Sequence, residues 1–189
     1  MRKSLADITA DVAAILEESL ALLCDAADSP FPTLQERVRI EAPEIAMQLL
    51  LEAPPEAIDT WQTLPGGGLT TDADGLAALP LPEDFLRLGS VRLQGWERPA
   101  VPAPEGDLLQ RLLCHSRWPA LRGTNQKPVA FIKTTGSGRS LIMCPAPKGS
   151  LALAEGSYLA MPRFDGEERM TVPERLYGAL LQRLSERFG

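Results

Sequence analysis

The sequence has few of the residues that build most catalytic and metal sites. It contains one histidine, His115, which excludes any site that needs two histidine ligands. It contains only three cysteines, Cys24, Cys114 and Cys144. An odd number of widely spaced cysteines predicts unpaired thiols in a reducing compartment, and the simplest interpretation is that they are buried as small apolar side chains. Nothing in this inventory predicts a cofactor or a metal site.

Long hydrophobic runs are also missing. No stretch approaches the ~20 consecutive apolar residues that a membrane-spanning helix needs. Asp7 and Asp11 interrupt the apolar core that a signal peptide would require after the basic start of the chain. Acidic residues outnumber basic ones by 25 to 19, and the formal net charge of −6 disfavours a broad nucleic-acid surface. We therefore expect a protein that is not secreted and has no membrane partner.

The composition that is present is that of a globular protein. The chain has 189 residues, of which 44% are hydrophobic and 23% are charged. A chain of this length buries enough surface to fold without a disulfide or a metal ion. Length alone predicts one domain, or one domain with a small insertion.

Helical patterns lie at both ends of the sequence. Residues 4–24 and 34–51 carry apolar side chains at three- and four-residue steps, and both begin with capping-box spacing. Pro43 interrupts the second pattern and predicts either a kink or a new helix beginning there. A third apolar stripe follows Pro173, which suits the first position of a closing helix.

The middle of the sequence has the character of strands and turns. Strands are predicted at 85–96, 128–134, 140–144 and 151–162, with a short helix near 105–118. The predicted fold class is therefore α+β: a helical bundle with an inserted antiparallel β-region and a closing C-terminal helix. Its parts, within one composite domain, are N-terminal helices at 1–55, a β-rich insertion at 56–165 and a C-terminal helix at 166–189 that completes the bundle.

The segment 133–140, Lys-Thr-Thr-Gly-Ser-Gly-Arg-Ser, superficially resembles a phosphate-binding loop. In that motif a glycine stands where this chain has Lys133, and a lysine stands where it has Arg139. The residues from Ser140 onwards read as a strand, so no helix N-terminus would face a phosphate. A hairpin turn is the better interpretation.

A thiol enzyme would need a cysteine beside the single histidine. Cys114 and His115 are adjacent, but adjacent residues on a helix point about 100° apart. Cys24 or Cys144 could approach His115 in the fold, although nothing in the sequence places them there. We favour a structural histidine.

Charged and aromatic residues give further candidates for a functional site, and each candidate also has a purely structural explanation. The acidic pairs Glu17/Glu18 and Glu167/Glu168 fit solvated charge. The remaining candidates for a partner or phosphate contact are Arg87, Arg92, Arg98, Lys133, Trp61, Trp96 and Trp118. Outward-facing strand positions explain the cations, and core packing explains the tryptophans at least as well. We assign no catalytic, cofactor-binding or metal-binding residue and expect a protein that is not an enzyme.

One stretch carries a resemblance to a known family. Residues 81–88, Leu-Pro-Glu-Asp-Phe-Leu-Arg-Leu, are followed at 91–99 by Val-Arg-Leu-Gln-Gly-Trp-Glu-Arg-Pro. This resembles tailed-bacteriophage head–tail adaptor proteins, which often carry Leu-Pro-x-Asp-Phe-Leu-Arg-Leu where the chain enters a β-region. Residues 127–132 and 158–162 are similar to the same β-region. The order of elements is similar across nearly the whole chain.

The resemblance implies a virion protein at the head–tail junction, assembled in the bacterial host cytoplasm. It implies a ring of identical copies, commonly a homo-dodecamer, with a portal protein and neighbouring tail or ring proteins as partners. The ring would line the channel for passing genomic DNA without sequence-specific binding. The first helix, a helix from Glu44 to Glu52 and the closing helix are the expected neighbour-facing surfaces.

Two other classes of function stay open at this point. One is a bacterial protein-interaction or small-ligand-binding domain without catalysis, which predicts an apolar pocket with a few convergent polar groups. The other is a hydrolase built on paired acids or on a cysteine with His115.

Overall fold

The computed structural model divides the chain into two compact units. The terminal unit comprises Met1–Thr60 and Met161–Gly189, and the central unit comprises Trp61–Ala160. The structure describes residues 1–16, 32–71, 76–100, 114, 123–135, 138–147 and 151–189.

The described residues form three α-helices, nine β-strands and one short 3-10 turn at Pro55–Ala57. The helices are α1 (Leu5–Ile15), α2 (Leu34–Glu52) and α3 (Glu174–Phe188). The strands are β1 (Arg2–Ser4), β2 (Gln62–Thr63), β3 (Thr70–Thr71), β4 (Ala77–Pro80), β5 (Phe85–Leu93), β6 (Val129–Thr135), β7 (Gly138–Cys144), β8 (Leu153–Ala160) and β9 (Arg169–Thr171). Within these residues, no helix is both long enough and apolar enough to cross a membrane.

Capping boxes begin α1 and α2, as the sequence predicts. The hydroxyl of Ser4 accepts a hydrogen bond from the Asp7 backbone amide at 3.1 Å, and the Asp7 carboxylate accepts one from the Ser4 amide at 3.2 Å. Thr33 and Glu36 make the same pair of bonds at the start of α2. Each box satisfies amide donors that have no partner within the helix.

The structure bears on the predictions for both prolines. Helix α2 continues through Pro43 as one element, so no new helix begins there, because a helix that is packed along its length tolerates one missing hydrogen bond. Pro173 is the N-cap of α3, one position before the first helical residue. The predicted helix at 4–24 is described only as far as Ile15, and residues 17–24 lie outside the described part.

The terminal unit has its own apolar core. Helices α1, α2 and α3 contribute most of it, and β1 and β9 pair antiparallel beside them, with Lys3 opposite Met170. The fully buried members include Ile8, Val12, Val38, Ala42, Met170, Leu180 and Leu184.

The central unit contains two antiparallel sheets. One has the strand order β2-β8-β5 and the other has the order β3-β4-β7-β6. Its main core includes Leu64, Leu79, Phe85, Val91, Leu93, Trp96, Leu141 and Met143. A second cluster contains Leu76, Cys114, Val129, Phe131, Ile142 and Cys144.

Strand β5 is irregular. Its pairing with β8 shifts register between Phe85 and Arg87 and again between Leu88 and Ser90. Each shift adds a residue to one strand and changes which side chains face inward. As a result, Phe85, Leu88 and Val91 are buried at three-residue steps rather than two-residue steps.

The predicted fold class is wrong. The described chain has three helices and nine strands in three antiparallel sheets, with roughly equal helix and strand content, and it is not a helical bundle with inserted strands. Strands belong to the terminal unit as well, because Arg2–Ser4 pairs with Arg169–Thr171. The predicted helix near 105–118 lies outside the described residues except at Cys114.

Candidate functional site

The segment 81–88 leads into β5, and its Phe85 forms an aromatic pair with Tyr158 in the central unit. The Phe85 side chain is fully buried. Its ring stacks on Tyr158 of β8, with the ring centroids 5.9 Å apart and the planes 9° from parallel. The pair contributes apolar burial and a favourable stacking geometry at the start of the strand.

Arg139 of β7, a strand of the other sheet of the central unit, contacts this aromatic residue. Its guanidinium donates a hydrogen bond to the Phe85 carbonyl oxygen at 2.6 Å and lies 5.4 Å from the centroid of the Phe85 ring. The contact joins a charge-assisted hydrogen bond to a cation–π interaction. We define the β5 clamp as Asp84, Phe85, Arg139 and Tyr158.

The Tyr158 hydroxyl completes the β5 clamp. It donates towards Gln62 Oε1 at 3.1 Å and towards Asp84 Oδ1 at 3.4 Å. Burial, followed by the nearby Asp84 carboxylate, raises the pKa of Tyr158. The phenol is therefore a hydrogen-bond donor at neutral pH, and its position suits a structural role.

A cavity of about 440 Å³ lies beside the β5 clamp. Its lining includes Leu81, Pro82, Glu83 and Arg139. The Arg139 guanidinium is already engaged with the Phe85 carbonyl, which leaves it less available to an anion.

The segment 133–140 forms an antiparallel hairpin. Lys133 pairs with Ser140 and Thr135 pairs with Gly138 across β6 and β7, which confirms the hairpin prediction. Ser140 lies in a strand, so the arrangement of a phosphate-binding loop is not formed. Gly136 and Ser137, between the two strands, lie outside the described residues.

Two cysteines meet in the central unit. Cys114 and Cys144 are both buried in the same apolar cluster, and the neighbouring Cys144 thiol, followed by burial, raises the pKa of Cys114. Sequence reasoning missed this pair, because 30 positions separate the residues and no motif links them. His115 and Cys24 lie outside the described residues, so the cysteine–histidine hypothesis stays a prediction.

The acidic pair Glu167/Glu168 belongs to a network of ion pairs in the terminal unit. Glu168 pairs with Arg39, and Glu167 lies 3.5 Å from Arg169 and 3.8 Å from Arg2. Solvent-exposed pairs of this kind fit the solvated-charge interpretation. The other predicted pair, Glu17/Glu18, lies outside the described residues.

Asp165 anchors the turn before β9. Its Oδ1 atom accepts backbone hydrogen bonds from Arg169 at 3.0 Å and from Glu167 at 2.9 Å, and its Oδ2 atom accepts from the Arg2 guanidinium. The bond from Arg169, followed by the bond from Arg2, lowers the pKa of Asp165 to about 2. The carboxylate is therefore a structural acceptor that stays ionised.

A tyrosine in α3 makes a partly buried polar contact in the terminal unit. The Tyr177 hydroxyl donates to Asp11 Oδ2 at 2.5 Å, and the Lys3 ammonium lies 4.6 Å from the ring centroid. Lys3 also lies 3.5 Å from the same carboxylate oxygen. Burial, followed by the bond to Asp11, raises the pKa of Tyr177.

The tryptophans divide between core and surface. Trp96 is buried, and its indole Nε1 donates to the Pro145 carbonyl at 2.9 Å. Trp61 is half-buried and lies directly over Gly89 of β5. Trp118 lies outside the described residues.

The four candidate cations also lie in different surroundings. Arg92 pairs with Glu155 across β5 and β8 at 2.5 Å, so a neighbouring strand already neutralises it. Arg98 and Lys133 are exposed, and Arg87 is half-buried. The structure does not gather these cations around one described anion site.

The most exposed apolar side chains lie on the helices of the terminal unit. Ile40 is 69% exposed and Leu51 is 51% exposed, with the half-buried Met47 between them. Separations of seven and eleven residues return to nearly the same side of a helix. We call these three residues the α2 stripe.

A charged groove of about 320 Å³ lies between α2 and α3 beside the stripe. Its lining includes Glu41, Glu44, Gln48, Arg183, Glu186 and Arg187. Glu41 lies 3.6 Å from Arg187, and Arg183 donates to Glu52 at 2.8 Å. The groove therefore offers both signs of charge next to an apolar surface.

The described residues contain no group of three or more histidine, cysteine, aspartate or glutamate side chains that could hold a metal ion. Comparison of the chain with protein-family models and with curated protein sequences finds no match.

Proposed function

We propose that the chain is a non-enzymatic structural component of a phage or prophage virion. It forms a homo-oligomeric adaptor ring between the portal and the tail and lines the channel through which DNA leaves the head. The observation that carries the proposal is the segment 81–88, whose pattern resembles the head–tail adaptors.

Two residues of this pattern, Asp84 and Phe85, make specific side-chain contacts in the fold. Phe85 is buried between Tyr158 and Arg139, and the Asp84 carboxylate accepts from the Tyr158 hydroxyl. A loop-to-strand transition built in this way fixes where β5 begins and which side chains it buries. The residues of the pattern therefore have a definite structural role in this chain.

The α2 stripe supplies a surface that suits a neighbouring copy. Each subunit of a closed ring uses two different surfaces, one for each neighbour. The apolar stripe of Ile40, Met47 and Leu51 gives one such surface, and the adjacent groove with Glu41 and Arg187 gives charges that fix orientation.

The net charge of the chain agrees with a channel wall. A formal charge of −6 suits a protein that must not hold the phosphates of passing DNA, because a basic lumen would bind them and slow transit.

Association with itself and with a portal tests the proposal. The chain is purified alone and mixed with the portal protein encoded in the same genome, at low and at high salt. Light scattering gives the mass of each species, and electron microscopy gives its shape. A closed ring, alone or on the portal, supports the proposal, whereas the absence of both self-association and portal binding at every salt concentration overturns it.

A pair of surface variants tests the proposed interface. Ile40→Glu with Leu51→Glu places charge on the α2 stripe and is expected to weaken ring formation about tenfold or more. Gln35→Glu is the matched control, since it adds a charge to an exposed position of the same helix about 140° away from Ile40. Equal weakening by both changes would contradict a ring interface at the stripe.

A further inference from the structure

The pair Cys114 and Cys144 is a feature that the proposed function does not use. The side chains are 6% and 4% exposed, and both belong to the cluster with Val129, Phe131 and Ile142. Cys144 ends β7 opposite Val129 of β6, a member of the same cluster. The cluster therefore brings the two thiols into one packed region, where a disulfide between them can form.

We propose that Cys114 and Cys144 are a modification site that forms an intramolecular disulfide when the protein meets a low-molecular-weight disulfide such as oxidised glutathione. The bond would tie position 114, in the stretch between β5 and β6, to the last residue of β7.

The reaction proceeds by thiol–disulfide exchange. One cysteine thiolate attacks a sulfur of oxidised glutathione, forms a mixed disulfide and releases one glutathione thiolate. The second cysteine then attacks the protein sulfur of that mixed disulfide and releases the second glutathione. The two cysteines together lose two protons and two electrons, and oxidised glutathione becomes two reduced molecules.

The environment makes this reaction slow but directs its outcome. The hydrogen bond to Cys144, followed by burial, raises the pKa of the Cys114 thiol, so little of the attacking thiolate exists at neutral pH. The first step therefore waits for local opening of the cluster. Once it has occurred, the neighbouring thiol is already in place for the second step, and the mixed disulfide is short-lived.

The disulfide would stabilise the central unit. It closes a loop between positions 114 and 144 and reduces the conformational freedom of the unfolded chain. A buried disulfide without strain also resists reduction better than an exposed one.

A consequence for the virion rests on the proposed function, whereas the bond itself does not. A reducing host cytoplasm keeps both thiols reduced while the ring assembles, and an oxidising exterior allows the bond to form after release. The disulfide would then be present only in the finished particle.

The test uses the full chain with Cys24→Ser, which leaves only the two cysteines of interest. The protein is incubated with oxidised glutathione, the remaining thiols are alkylated in urea, and intact mass and peptide maps are recorded. We expect the mass to fall by two hydrogen atoms, a linked pair of peptides containing positions 114 and 144, and a rise in Tm of about 5 °C. Dithiothreitol should reverse all three changes.

Controls distinguish this reaction from random oxidation. In the same background, Cys114→Ala and Cys144→Ala should each give no intramolecular bond, and the unmodified chain should give the linked peptides whether or not Cys24 reacts. If both thiols remain alkylatable under conditions that oxidise a reference dithiol peptide, the inference is overturned. It is equally overturned if the reaction stops at a mixed disulfide or if Cys24 is the partner found. None of these results depends on ring formation.

Discussion

The terminal and central units both bury an apolar core, but they place their polar contacts differently. Most ion pairs of the terminal unit join exposed side chains, such as Arg39 with Glu168 and Arg183 with Glu52. In the central unit, the guanidinium of Arg139 lies over a fully buried ring and donates to the carbonyl of the same residue, Phe85. Exposed pairs contribute little to stability, whereas a partner lost from a buried arrangement costs much more. The two units should therefore respond differently to similar substitutions.

The largest expected effect is at the β5 clamp. Phe85→Ala removes a fully buried ring that contacts Tyr158 and Arg139, and it leaves a cavity. The free energy of unfolding should fall by about 3–5 kcal/mol. Urea unfolding followed by tryptophan fluorescence, which reports on Trp61, Trp96 and Trp118, all within the central unit's residues, measures the change.

Leu86→Ala is the matched control for this substitution, because Leu86 is the next residue of the same strand and is only half-buried. It should cost clearly less. A loss below about 1 kcal/mol for Phe85→Ala would show that the clamp does not fix the start of β5.

The next two predictions compare a glycine-to-alanine substitution in each unit. The larger effect is expected at Gly89 of β5, in the central unit. A Cβ atom at this position would lie 2.6 Å from Ser157 Oγ and 2.8 Å from Trp61 Cζ3. Gly89→Ala therefore forces the Trp61 ring away and should destabilise the protein by about 1–3 kcal/mol. Thermal unfolding by circular dichroism measures the change.

A double variant identifies the cause of that loss. If the Trp61 ring is what the new methyl group meets, Trp61→Leu should recover part of the cost when it is combined with Gly89→Ala. Strictly additive effects would mean that the contact with the Trp61 ring is not the source of the destabilisation, which leaves the contact with Ser157 Oγ.

Gly178 provides the opposite case in the terminal unit. It lies on α3 with nothing within 4 Å of a new Cβ atom, and its backbone is helical. Gly178→Ala should stabilise the protein by about 0.5–1 kcal/mol, because alanine restricts the unfolded chain and favours the helix. The same thermal unfolding experiment applies, and a decrease in Tm would contradict the open surroundings of this residue.

The difference between the units also explains what the sequence could predict. Helices α1, α2 and α3 have an apolar stripe, and α1 and α2 begin with capping boxes. The residues that form these patterns are close together in the sequence, so the patterns can be recognised without the fold. The β6–β7 hairpin is similarly local, since its turn residues stand between two strand-like runs. The starts of these helices and the hairpin are predicted close to where the structure has them, whereas the predicted end of the first helix, at residue 24, lies outside the described residues.

The rest depends on contacts between residues that are distant in the sequence. The strand at 85–96 is predicted, but the bulges in β5 bury Phe85, Leu88 and Val91 at three-residue steps, so the alternation of a regular strand does not show which side chains face inward. The pairing of β1 with β9 joins opposite ends of the chain, and each strand has only three residues. The role of Arg139 was also hidden, because it arises only when β7 lies beside the start of β5. The fold class was wrong for this reason, since short strands paired over long separations leave no periodic pattern.

The smallest expected effect concerns pH and Asp165 of the terminal unit. Its pKa in the folded protein is about 2, below the ordinary value of 3.8, so the folded state binds this proton more weakly than the unfolded state. The resulting stabilisation is present in full above about pH 4 and is lost as the pH falls from about 4 to about 2. Asp165→Asn should therefore reduce the dependence of unfolding on pH in this window, with the urea midpoint measured from pH 5 to pH 2. Glu97→Gln, at an exposed acid of the central unit, controls for the change in net charge. Because Asp165 is exposed and its partners lie at the surface, we expect a change well below that of Phe85→Ala, and an unchanged pH profile would mean that the turn before β9 is held by its backbone alone.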